Sequence, residues 1–376
     1  MNKKMRRPVK VMFLITLVLV LLGIIAYFAS NYVMSAQQKK LADEQAAVEQ
    51  YNREQQEAYD IALAEFAAAN QPGTANEAWP AHSNEGWDVV DLTNYPLENP
   101  GQVSLNRTDI MANGMLLVNQ WHSRPEDFPE AGLVSVGSYT RGAMAVSDYS
   151  VRLFPVAIDA LREAVDAAAA AGHKDYMVSE GYRSWEDQNS IFQKAMARYQ
   201  DRYSGDALIE RTKRDVNSPG TSEFNSGLGF TLRLYNKEDA SIGKPAYTTT
   251  AAGQWMCENS WRYGIVFRFP LTDFPVKGTA DKSYKTGVSA ELNLYRYVGK
   301  GNAAVMNHLG LCMEEYIEYL MEHPHIAVFE DGVLKYEVTR QYVGEEGSVA
   351  IQTTNRARSY ECSLDNMGYA IVVFNY

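Results

Sequence analysis

Histidine and cysteine are scarce in this chain of 376 residues, with six of the first and three of the second. The cysteines, Cys257, Cys312 and Cys362, lack the short spacing of a thiolate metal site, and an odd number allows at most one intrachain disulfide. Their simplest reading is as buried small hydrophobes. The histidines (His82, His122, His173, His308, His323 and His325) give no pair at ligand spacing along the apolar runs that read as central strands. Positive charge is also short. With Lys3, Lys4, Arg6, Arg7 and Lys10 set aside, 30 basic residues face 46 acidic ones, which argues against nucleic acid as a partner. Proline and glycine are missing from 37–70, a stretch rich in Ala, Gln, Glu and Lys that favours helix.

What is present divides the chain. A composition 46% apolar and 22% charged is that of a globular protein with room for two domains. Residues 1–10 read as a basic cytoplasmic tail. Val11 to Phe28 is apolar except for Thr16 and Gly23 and spans about 27 Å as a helix, close to a bilayer core. A transmembrane anchor over 11–33 is expected, with the bulk of the protein outside the cell membrane. Residues 37–70 then form a helical stalk with a weak pattern for self-association, and 71–102, with four prolines, form a linker that wraps rather than pairs. A domain over 103–324 follows. Residues 325–376 read as a small all-β appendage, begun by a hairpin around Glu330-Asp331-Gly332.

Three stretches carry the chemistry. The first runs from Tyr176 through Ser179-Glu180-Gly181-Tyr182-Arg183-Ser184 to Gln188, a strand passing through glycine into a helix that Ser184 caps, with Asp187 where a capping box needs its acid. The second, Ser218 to Leu232, joins a Pro-Gly turn to a glycine-interrupted apolar run. The third, Glu291 to Lys300, alternates apolar and polar residues and suits a strand beside the second.

Together these stretches resemble the zinc D-alanyl-D-alanine carboxypeptidases of VanY type, whose motifs read SSGYRSxxxQ, SxHxxGxAxD and ExWHYRYVG. Met115-Leu116-Leu117-Val118-Asn119 and Gly264-Ile265-Val266-Phe267-Arg268-Phe269-Pro270 add shorter matches. The resemblance implies an α+β domain with helices on a mainly antiparallel sheet. It implies substrate contacts by Tyr182, Arg183, Ser184, Gln188 and Ser222, and a base at Glu291. It also implies a zinc ion, but the three ligand positions hold Phe224, Thr231 and Leu294, which offer no donor beyond one neutral hydroxyl. No metal is therefore expected, and Glu291 is left as a base without its metal-activated water. Three readings stay open: a pseudo-peptidase that binds peptidoglycan stem peptides, an envelope interaction scaffold with a vestigial cleft, and an active carboxypeptidase with a rebuilt metal site. An ion pair of Arg183 with Glu291 or a neighbouring acid is the purely structural alternative for that arginine.

Overall fold

The computed structural model of the protein describes Leu21, Gln50 and residues 79–344 and 347–376. The chain divides into two compact units, Met1–Gln71 and Pro72–Tyr376, and the second contains everything that follows. The expected anchor and stalk lie outside the described residues. Among the described residues, no helix is long and apolar enough to cross a membrane.

The second unit opens with β1 (Trp87–Asp91) and β2 (Pro100–Leu105), continues through two-residue strands β3 (Val134–Ser135), β4 (Ala145–Val146) and β5 (Arg152–Leu153), and then builds its inner sheet. That sheet uses β6 (Tyr176–Glu180), β7 (Gly229–Leu234), β8 (Ile265–Phe267) and β9 (Leu294–Tyr297), in the order β4-β6-β7-β9-β8. Only the β4–β6 pair is parallel. The strand period of two sorts its side chains. Phe230, Leu232 and Leu234 of β7 and Tyr295 of β9 join Ile158, Leu161 and Ala164 of the helix Pro155–Ala170 in one apolar cluster. The alternate residues, Thr231, Leu294 and Arg296, belong to the opposite face.

The rest of the chain forms β10 (His325–Glu330), β11 (Val333–Tyr342), β12 (Val349–Thr354), β13 (Ser359–Leu364) and β14 (Tyr369–Asn375). The expected hairpin is present, with Asp331 and Gly332 both at positive φ, as a tight turn between twisted strands requires. Two other expectations need correction. The segment 71–102 does pair where it is described. β1 lies antiparallel to β10 over five residues, and β2 pairs with β12 over six. Pro100 opens β2 rather than breaking it, and partners more than 230 residues away leave no local signal.

The C-terminal strands are not an appendage either. β1-β10-β11-β14-β13 form a second five-stranded sheet. One of its faces packs Val328, Val338 and Ile371 against Met115, Leu117 and the helices Lys300–Leu309 and Met313–Glu322. The other packs Leu364, Val372 and Phe374 among Leu116, Phe128, Phe154 and Tyr182. Both faces are thus buried by the domain that precedes them. Truncation after Pro324 is expected to abolish cooperative unfolding, because it strips cover from residues of near-zero exposure. A fragment ending there with a sharp thermal transition in circular dichroism would show that the sheet is dispensable.

Candidate functional site

The loop Ser218–Leu228 enters β7 through a short 3-10 turn, Glu223–Ser226, closed by Gly227 at φ 67°. A Cβ at Gly227 would sit 2.7 Å from Leu133 and 2.8 Å from Phe154, so the turn needs glycine for space as well as for handedness. The loop is tied to the first motif by its backbone, with Arg183 N–H donating to Phe224 O at 2.9 Å. Asn225 reinforces this by donating from its amide to Arg183 O at 2.7 Å.

Phe224 and Leu294 meet in a small apolar cluster with Phe269 and the partly buried Val288. Thr231 stands directly opposite Leu294 in the β7–β9 register. Its hydroxyl is engaged by Ser179 Oγ at 2.8 Å. The three residues that the motif comparison set at ligand positions therefore do come together. Zinc requires about three imidazole, thiolate or carboxylate donors, and two apolar side chains packed on a third do not fit it. Among the described residues, no group of three or more His, Cys, Asp or Glu side chains is placed to hold a metal ion.

The expected substrate contacts are distributed differently. Arg183 places its guanidinium carbon 3.9 Å from the Phe224 ring centroid, pairs with Glu180, and donates to Gln188 Oε1 at 3.3 Å. Its carboxylate partner is thus Glu180, not Glu291. Glu291 lies exposed ahead of β9 and forms no ion pair among the described residues.

The other four are committed to the scaffold. Tyr182 is 8% exposed, stacks on Phe128 and accepts from Arg124 at 2.6 Å. Burial, aided by Glu130, pushes its phenol up to about 12. Ser184 caps the helix Trp185–Met196 in the expected box with Asp187. Gln188 is buried and donates to Asn217 O at 2.8 Å. Buried Ser222 begins the 3-10 turn, its N–H donating to Asn225 Oδ1 at 3.1 Å. Tyr182, Gln188 and Ser222 are buried, whereas Arg183 keeps 25% of its side chain in solvent beside the cluster.

Sequence reading missed what lies beneath. Glu223, one residue before Phe224, accepts from Arg268 Nε at 2.7 Å and from Arg296. Arg268 also grips Glu314 with two bonds of 2.7 and 2.9 Å, and Asn119 donates to the same carboxylate at 3.0 Å. Arg296 donates to Gly114 O and to Leu116 O, the latter at 2.8 Å. Gly229 admits the Glu223 side chain, since a Cβ there would lie 2.9 Å from its Cγ. The available signal was an arginine inside each of two apolar strand motifs, which a soluble fold tolerates only with buried acids to match.

Burial alone would depress Arg268, but Glu314 and Glu223 outweigh it and hold the guanidinium charged. Burial likewise opposes the Glu314 charge, and Arg268 overcomes it, drawing that carboxyl below its usual value. Arg296 is drawn down by burial, which Glu223 only partly offsets.

The comparisons with known proteins agree with the motifs. A family model described as VanY, D-alanyl-D-alanine carboxypeptidase, matches residues 150–300. A D-alanyl-D-alanine carboxypeptidase of Enterococcus faecalis is 30% identical over 237 residues, covering 63% of this chain and 76% of the relative. One from Enterococcus faecium is 25% identical over 280 residues, covering 74% and 80%. The crystal structure of the vancomycin resistance D,D-dipeptidase VanXYg superposes with a TM-score of 0.53 at 21% identity, over 74% of this chain and 99% of that one, a likeness of fold.

Replacing Arg268 by Met leaves Glu314 without a cationic partner and Glu223 with Arg296 alone, and is expected to cost about 3–5 kcal/mol, read as a lower urea midpoint; a loss under about 1 kcal/mol would show that water relieves the network. Because the Glu314 carboxyl is depressed in the fold, its contribution is present above the ordinary value of 4.5 and is lost as pH falls through the folded value. The acid limb of stability against pH should accordingly flatten in Glu314→Gln.

Proposed function

The chain belongs to the VanY D-alanyl-D-alanine carboxypeptidase family, and from that premise we propose a member that binds the peptide end without cutting it. The observation that carries this reading is the apolar Phe224–Leu294–Phe269 cluster at the motif's ligand positions, with the Arg183 guanidinium laid across Phe224. Hydrolysis in the family's manner needs a metal to polarise the carbonyl and activate water. The donor set here supplies neither effect, and Glu291 alone faces water that is a poor nucleophile.

Carboxylate binding asks less. Arg183 offers a planar fork of donors. Its pair with Glu180 is half exposed on the acid side, and such pairs contribute only about 0–1 kcal/mol. A ligand carboxylate can share or displace Glu180 at little cost. The ligand class follows from relatives named for D-alanyl-D-alanine: a peptidoglycan stem peptide with a free C-terminal carboxylate. The commitment of Tyr182, Ser184, Gln188 and Ser222 to the scaffold favours a second reading, an interaction scaffold whose motif residues persist for folding alone.

Calorimetric titration of the full chain with a stem peptide ending in D-Ala-D-Ala, and with its C-terminal amide, separates the two. Binding of the acid, loss with the amide, and weakening by about 1.5–3 kcal/mol in Arg183→Ala, the scale of a charged hydrogen bond, support the proposal. No saturation at millimolar peptide hands the protein to the scaffold reading. Stoichiometric zinc in the unaltered protein, or D-alanine released from the peptide, overturns the non-hydrolytic assignment. If residues 11–33 anchor the protein as their apolar run suggests, protease added to intact protoplasts removes the C-terminal epitope; a protected C-terminus rejects that topology.

A further inference from the structure

A cavity of about 670 Å³ lies between the segment 121–127 and the turn joining β13 to β14, and it shares no residue with the Phe224–Leu294 cluster. Its volume falls within the range of about 300–1,000 Å³ typical of small-molecule sites. One wall is Trp121, 59% exposed, a large apolar face left open to solvent. The backbone beneath that indole is held firmly. Trp121 N–H donates to Asn119 Oδ1 at 3.0 Å, Asn119 and His122 exchange backbone bonds, and Arg124 N–H donates to Gly220 O at 2.8 Å.

Arg107, also in the lining, has a side chain only 11% exposed. Its Nη1 donates to Gly344 O at 3.0 Å, but its buried Nε has no hydrogen-bond partner among the described residues. Asp127 Oδ2, at 3.9 Å from that nitrogen, is too distant to serve. A buried donor left unmet is costly and calls for an acceptor. Glu126, Asp127 and Ser123 line the same cavity. Asn366 lines it too and spends both amide hydrogens on Leu117 O and Ser123 O, each at 2.8 Å, so its carbonyl oxygen remains available to accept.

Charge decides the class of ligand. An anion meets the carboxylates of Glu126 and Asp127. A cation meets the Arg107 guanidinium and still leaves Nε unsatisfied. His122, held below its ordinary value by burial, adds no charge near neutrality. A neutral ring bearing hydroxyls answers every group at once, because each hydroxyl both accepts, as Arg107 requires, and donates, as the carboxylates and Asn366 require. Its C–H face suits an exposed indole. We propose that this cavity binds a saccharide, stacked on Trp121 and hydrogen-bonded by Arg107, Asp127 and Asn366.

The test uses the full chain in a detergent without a sugar headgroup, titrated with triacetylchitotriose and with cellotriose. Tryptophan fluorescence and saturation-transfer NMR give the readout. Saturable binding of either trisaccharide is expected, weakened about tenfold or more in Trp121→Ala, the scale of one aromatic contact, and weakened also in Arg107→Gln. Trp121 is exposed, so its variant should keep the parent's melting temperature. Titration of Trp121→Ala with the stem peptide should be unchanged, which keeps this site independent of Arg183. The assignment falls if neither trisaccharide saturates, if binding survives Trp121→Ala, or if acetate or ethylammonium displaces the sugar, since displacement would mark an ion site.

Discussion

Two arginines and two glutamates, buried together and balanced in charge, hold this fold where its parts converge. Arg268 follows β8, Arg296 lies in β9, Glu223 sits in the loop that enters β7, and Glu314 is in the helix Met313–Glu322. Removing such charges from water costs several kcal/mol per ion, and their mutual attraction repays this only when every lone pair and proton is engaged. Here the shared carboxylates, the backbone oxygens of Gly114 and Leu116, and Asn119 provide that engagement. The arrangement fixes the strand face on which Thr231 and Leu294 lie, and so fixes the shape of the site above it.

This constraint explains how the fold accommodates apolar side chains at the positions that the motif comparison assigns to metal ligands. A ligand-position residue changed to Phe or Leu removes a polar group and adds apolar area, worth about 1.5–3 kcal/mol when fully buried. Phe224 and Leu294 do this against Phe269. No comparable route is open to the network below, because loss of any one member leaves an opposite charge uncompensated. Side chains at the site can thus change while the foundation beneath them stays in place.

The same distinction governs what the sequence made legible. The motifs placed β6, β7 and β9 correctly, and the convergence of Phe224, Thr231 and Leu294 follows from strand alternation once the register is known. Capping at Ser184 and the turn at Asp331-Gly332 are local events and could be read locally. The pairing of β1 with β10 and of β2 with β12 could not, since each strand is short and its mate distant. Strand β13, with Tyr360 and Glu361 exposed near its start, has little alternation to announce it. The ion network was hidden for another reason: Glu223 and Glu314 resemble any other surface acid until a structure shows them beneath an arginine.

A motif match therefore carries two kinds of information that only geometry separates. Tyr182, Ser184, Gln188 and Ser222 match a substrate-binding pattern, yet each is explained by a hydrogen bond, a cap or a stacking contact within the protein. Their presence would be the same in a chain that binds nothing. Arg183 differs in degree: its guanidinium also has partners within the protein, Phe224, Gln188 and Glu180, but it stays partly solvated, and its acid partner among the described residues is half exposed. In the proposed reading, this partly solvated guanidinium, rather than the motif that contains it, is the group that would meet a ligand carboxylate.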